Sequence, residues 1–211
     1  MAKVNEKLLW ASASRKIPDT EMLAFAESLD GLNQTERKKH QDEFADYIIE
    51  NYPCRPGYPD TEDGLIKYIA YGSNMNQEQM SLRCPEARLI GIGVIHGARL
   101  EFYLHATVEK TGDVKDEVPV AVWEINLNDR RSLDRYEDYP YYYKRDEIQV
   151  QMDDGTETEG LIYLMDRVRD QLPADEYYEG IADAYRSLGI EEKIRTVLEP
   201  ALKRCRKRTG E

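Results

Sequence analysis

Leu65-Ile66-Lys67-Tyr68-Ile69-Ala70-Tyr71-Gly72-Ser73-Asn74-Met75-Asn76 opens as a near-continuous apolar run and ends in a glycine-containing turn. A run this short and this apolar suits a strand buried on both faces. Tyr71 to Asn74 then turns the chain, and Gln77 to Leu82 reads as a helix. Gly72 lets the backbone bend sharply and come close to a ligand. Asn74 suits an N-cap, and Gln77 follows three residues later, as a capping box requires. Backbone N–H groups at such a helix start form a binding place for an anion. Strand, turn and capped helix are also ordinary architecture, so this stretch alone does not define a site.

On the C-terminal side, several more strands are expected. Residues 87–95 hold Gly91 and Gly93, but the third glycine and following helix of a dinucleotide fingerprint are missing. Residues 99–108 alternate as one half-exposed strand, with His105 on its polar side as a surface or rim residue. Residues 118–125 form another strand. A short helix follows over 126–136, with Asn126 or Asn128 at its cap and Leu133 facing the core. Strands over 146–152 and 159–165 flank an Asp153-Asp154-Gly155 hairpin turn. Pro173 and Asp175 start a helix with Tyr178, Ile181, Tyr185 and Leu188 at core spacing, Tyr177 beside that stripe and Gly189 at its end. A last helix begins near Glu191, is interrupted near Pro200, and runs into a basic end read as solvated.

Glu137 lies four residues after Leu133, on the same helix face, and is followed at once by Tyr139-Pro140-Tyr141-Tyr142-Tyr143. An acid among aromatics loses solvation, and its pKa is expected to rise toward neutrality. The alternative is an ion pair at the helix end with Arg135 or Arg145.

Toward the N-terminus the chain changes character. Asp19 or Thr20 would cap a helix carrying Met22, Phe25, Ala26 and Leu29, which Gly31 stops. Asn33 and Glu36 form a capping box for a second helix, polar at first, then apolar at Phe44, Tyr47 and Ile48. Three prolines and a glycine between Tyr52 and Asp60 break the pattern. The expected division is a helical extension, residues 1–60, before a main domain, residues 61–211. Strands in the middle with helices at both ends define an α+β fold with a mixed, barrel-like sheet.

Composition narrows the function. Apolar residues make up 41% of the 211, and charged residues 33%, with a formal net charge of −12. That charge argues against nucleic acid as the partner. No apolar stretch is long enough to cross a bilayer, and the N-terminus has no apolar core of signal-peptide type, so a cytoplasmic protein without a membrane partner is expected. Cys54, Cys84 and Cys205 are too scattered for a disulfide framework, and neither they nor His40, His96 and His105 have zinc spacing, so no metal is expected.

The pairing of Tyr68-Ile69-Ala70-Tyr71-Gly72-Ser73-Asn74-Met75 with Leu133-Asp134-Arg135-Tyr136-Glu137-Asp138-Tyr139-Pro140 resembles the γ-glutamylcyclotransferase, or AIG2-like, family. Arg83-Cys84-Pro85, Val118-Pro119-Val120-Ala121-Val122-Trp123 and Tyr143 extend the resemblance, which covers roughly residues 65–190. It implies a γ-glutamylcyclotransferase-like fold and a cofactor-independent reaction. The α-amine of a γ-glutamyl amine or peptide attacks its own γ-carbonyl, giving 5-oxoproline and releasing an amine. The resemblance nominates Glu137 as the general acid/base. By the same likeness, the turn Tyr71, Gly72, Ser73, Asn74, Met75 and Asn76 would hold the substrate α-carboxylate, with Tyr143 and Tyr177 lining the pocket. Tyr141, Tyr142 and Tyr178 are read as packing, and Cys84 as an inert buried residue. One departure stands out: Asp138 replaces the glycine that usually follows the acid, and is expected to alter the pocket and perturb Glu137. The alternative is a non-catalytic AIG2-like module binding a small carboxylate ligand or a partner's chain end. The N-terminal helices are expected to serve self-association into a homodimer or partner docking.

Overall fold

The computed structural model describes residues 7, 8, 11, 12, 15–52, 65–165 and 169–210. The chain divides into two compact units, Met1–Gly64 and Leu65–Glu211. The proline-rich break assigned to residues 53–60 lies outside the described residues.

In the first unit, α1 (Asp19–Ser28) and α2 (Gln34–Asn51) pack through the Phe25 and Phe44 rings, stacked 4.0 Å apart. Asn33 and Glu36 make the expected capping box on α2. The cap of α1 differs from expectation: Pro18 occupies the N-cap position without a side-chain bond, and Asp19 falls in the first turn. Of its proposed core stripe only Phe25 is buried, because a two-helix pair offers one narrow seam.

The second unit is built on a closed five-stranded barrel. Its strands are β1 (Ile66–Ala70), β2 (Arg88–His96), β5 (Glu117–Ile125), β6 (Tyr143–Met152) and β7 (Glu157–Met165), in spatial order β1-β5-β2-β6-β7. All pairs are antiparallel except β1–β7, which closes the barrel in parallel. β1 is paired on both edges, and its apolar run matches its burial, with only Lys67 exposed within it. Strands β2 and β6 approach closely at Gly93, where a Cβ would stand 2.6 Å from a Val150 methyl carbon and 2.7 Å from the Gln151 carbonyl oxygen.

The single strand expected over 99–108 is instead a tight hairpin, β3 (Ala98–Tyr103) and β4 (His105–Lys110). Leu104 turns it at φ 73°, a conformation that side-chain alternation does not reveal. Among the described residues of this unit the α-helices are α3 (Gln77–Arg83), α4 (Leu127–Tyr136), α5 (Asp175–Ser187) and α6 (Glu199–Thr209). Asn126 caps α4 in a capping box with Asp129, and Leu133 is buried. As expected, the last helix is interrupted near Pro200: a π-helical segment, Ile194–Leu198, runs directly into α6, with Pro200 in the first turn of α6.

The basic end is solvated at Lys203, Arg206 and Lys207, as expected, but docked at Arg204 and Arg208. Arg204 and Arg208 both pair with Glu101, which is buried on β3, and each donates 2.8 Å bonds to β3 carbonyls, of Leu100 and Phe102. A buried carboxylate on a strand's nominally polar face needs such partners, and the last helix supplies them. Among the described residues, no helix is long and apolar enough to cross a membrane.

Candidate active site

β1 delivers the chain into a short 3₁₀ turn, Ser73–Met75, before α3 begins. That turn moves the helix cap: Asn76, not Asn74, accepts from the Gln79 N–H at 3.0 Å. Asn74 is thereby freed for other work. Its Nδ2 donates to the Tyr68 hydroxyl at 2.8 Å and to Glu137 Oε1 at 2.8 Å, while Oδ1 accepts from the Arg83 guanidinium. Gly72 has φ −119°, so its glycine is not required by a left-handed backbone. A Cβ there would touch the Tyr177 hydroxyl at 3.4 Å, a normal contact distance.

Tyr68, Gly72, Ser73, Asn74, Glu137 and Tyr177 line a cavity of ≈ 280 Å³ together with Tyr71, His105, Tyr136, Asp138, Tyr142, Tyr143 and Tyr163. Glu137 enters it from the C-terminus of α4, where its N–H closes the last turn onto Leu133 O at 2.8 Å. Burial pushes the Glu137 carboxyl from 4.5 up to about 7, against the opposing pull of the Arg83 charge and the Asn74 bond. The Asp138 charge is not among the causes, contrary to expectation. Neither proposed arginine partner reaches it. Arg135 bonds Ser132, and Arg145 lies 3.7 Å from Asp134 with its guanidinium over the Tyr139 ring.

The tyrosines are anchored through one backbone unit. Tyr143 donates to Ala106 O at 2.8 Å, and the Ala106 N–H donates to the Tyr177 hydroxyl oxygen at 3.2 Å. Tyr71 donates to Tyr163 O at 2.5 Å. Burial pushes all three phenols upward, so they act as neutral walls of fixed position.

Of the residues nominated from sequence, Glu137, Tyr71, Gly72, Ser73, Asn74, Tyr143 and Tyr177 meet at the cavity. Met75 and Asn76 do not. Met75 is wholly buried in the core, and the Asn76 side chain is spent on its helix cap. Tyr142, read as packing, lines the cavity with its hydroxyl 3.0 Å from His105 Nδ1. Tyr141 packs against little, being 88% exposed. Tyr178 does pack, tilted against Phe102 at 6.2 Å. Cys84 is buried, with its thiol pushed up to about 12 by burial, and so is inert.

Sequence reasoning missed Arg83 as a part of the site. It donates to Ser73 Oγ at 3.2 Å and Gln79 Oε1 at 2.6 Å, and lies 3.7 Å above the Tyr136 ring. Its signal was its place in the last turn of α3, one helix length after the glycine turn. Asp138 takes φ 48°, the left-handed region, which aspartate is one of the few residues other than glycine to tolerate. Among the described residues, no group of three or more His, Cys, Asp or Glu is placed to hold a metal ion.

A small barrel with one carboxyl of raised pKa facing a glycine turn across a partly open cavity defines a class of small-molecule site. The family follows from comparison: residues 68–180 match the family model "Gamma-glutamyl cyclotransferase, AIG2-like", and the chain belongs to this family. It is 28% identical over 156 residues to the γ-glutamylcyclotransferase of Homo sapiens, covering 66% of this chain and 81% of that protein. A solved γ-glutamyl cyclotransferase superposes with TM-score 0.57 at 24% identity, covering 66% of this chain and 99% of the other. An uncharacterized protein from Homo sapiens also gives TM-score 0.57, at 27% identity over 63% of this chain and 88% of that one. The fold is therefore the mixed α+β barrel of that family, with flanking helices and N-terminal helices in addition.

Proposed function

We propose that this protein cyclises a γ-glutamyl amine or peptide to 5-oxoproline, with Glu137 as the single general acid/base. One observation carries the reading: a carboxyl raised to about 7 opens onto a cavity of ≈ 280 Å³ opposite the turn at Gly72. Near neutrality such a group is present in both protonation states, which is what a catalyst that takes a proton and then returns it requires.

In the proposed sequence the Glu137 carboxylate removes a proton from the substrate's α-ammonium. The freed amine attacks the γ-carbonyl carbon, forming the ring C–N bond. Protonated Glu137 then gives its proton to the departing nitrogen as the old C–N bond breaks. The proton lost by the ring nitrogen, as it becomes an amide, follows by the same carboxyl, so the amine departs as an ammonium. The attack is intramolecular, so holding the substrate folded supplies much of the acceleration. The N–H groups of Gly72, Ser73 and Asn74 take no protein acceptor among the described residues, which supports their holding the substrate α-carboxylate. Tyr143 and Tyr177 would confine the folded glutamyl chain.

The test is incubation with a panel of γ-glutamyl amino acids and γ-glutamylamines, reading 5-oxoproline by mass spectrometry. Release from at least one member is expected. Binding of 5-oxoproline without turnover of any would instead favour a non-catalytic carboxylate-binding module.

A further inference from the structure

We propose that Asp138 makes this cavity select γ-glutamyl compounds whose departing amine ends in a cation, over those whose departing amine carries a carboxylate. The inference rests on the cyclotransferase reading above and deepens it.

Any leaving nitrogen must come within reach of Glu137 to be protonated, so whatever it carries extends past residue 137 toward the mouth of the cavity. Asp138 is the next residue, lines the cavity and is exposed. Its carboxylate has no partner among the described residues, so it remains available to a ligand. Its backbone is held firmly, because its carbonyl accepts from the Tyr141 and Tyr142 N–H groups at 2.8 and 2.9 Å.

Among the described residues, no lysine or arginine lines the cavity to offset that charge. Arg83, the nearest cation to the acid, is committed to Asn74, Ser73 and Gln79 and is capped by the Tyr136 ring. His105 lines the cavity, but burial lowers its pKa, which keeps the imidazole neutral. The mouth therefore carries negative charge and aromatic faces, a combination that attracts an ammonium and repels a carboxylate. A neutral residue at this position would lack that charge, so the selectivity belongs to Asp138 itself.

A matched pair of substrates isolates the effect. γ-Glutamylputrescine and γ-glutamyl-γ-aminobutyrate have leaving groups of similar length, ending in an ammonium and a carboxylate respectively. The wild-type protein should favour the first in kcat/KM by about tenfold, the size expected of one charge pair a few ångströms apart near a protein surface. Asp138→Asn keeps the shape and tolerates the same left-handed backbone, and should bring the ratio close to one. A purely structural role for Asp138 would change both rates together and leave the ratio alone. Equal wild-type rates, or an unchanged ratio in Asp138→Asn, would overturn the proposal while leaving the cyclotransferase reading intact. No 5-oxoproline from either compound or from the wider panel would overturn both.

Discussion

The amide of Asn74 donates to the carboxyl of Glu137 at 2.8 Å, joining residues 63 positions apart. That bond links the glycine turn to the end of α4 and fixes where the acid points. Hydrogen bonds to charged groups contribute about 1.5–3 kcal/mol. Asn74→Ala should therefore lower kcat/KM roughly ten- to hundredfold with little change in far-ultraviolet circular dichroism. Steady-state kinetics on the best panel substrate measures it, and an unchanged kcat/KM would show that the bond positions nothing.

Arg83 holds the other end of the same amide and lowers the Glu137 pKa by its charge. If Glu137 must begin as a carboxylate, kcat/KM should rise with pH through an acid limb near 7, the value of its folded carboxyl. Arg83→Met removes the cation, so the limb should move to higher pH and the rate at pH 7 should fall. Arg83→Lys should restore the charge but not the two-point grip, giving partial rescue. A limb that stays in place in Arg83→Met would contradict this positioning role.

The same carboxyl lowers stability at high pH. Its pKa is about 7 when folded against an ordinary 4.5, so between those values the folded state binds more protons than the unfolded. Stability must then fall as pH rises from 4.5 toward 7, with a limiting slope of about 1.4 kcal/mol for each pH unit crossed, or roughly 3 kcal/mol in all. Glu137→Gln has no such proton to lose. The variant should melt above wild type at pH 8 and match it at pH 4, as followed by thermal denaturation. A wild type and variant that melt alike at both pH values would remove the buried-acid assignment.

Gly160 marks the parallel seam of the barrel. A Cβ there would stand 2.6 Å from the Lys67 carbonyl oxygen and 2.9 Å from Ile69 Cδ1. Gly160→Ala should destabilise the second unit by about 1–3 kcal/mol through overpacking, seen as a lower urea midpoint. Because β1 leads directly into the glycine turn, activity should fall as well.

Local signals read well from sequence alone. The Asn33–Glu36 capping box, the 153–155 hairpin and the doubly buried β1 each depend on residues adjacent in the chain. Readings failed where a distant partner decides. Asn74 looked like a helix cap, but Tyr68, Arg83 and Glu137 claim its side chain, and the cap passes to Asn76. Arg204 and Arg208 looked solvated because Glu101, a hundred residues upstream, was hidden on a strand's polar face. In the site, Glu137 was legible from its aromatic surroundings, whereas Arg83 was not, since its role exists only once α3 folds back beside the turn.

The most direct test is the rate of 5-oxoproline release by Glu137→Gln, which keeps the shape of the acid and removes its proton transfer. The account predicts a fall of at least about a hundredfold, within the usual contribution of a positioned acid/base, in a protein that still melts cooperatively. Turnover equal to wild type in that folded variant would contradict it.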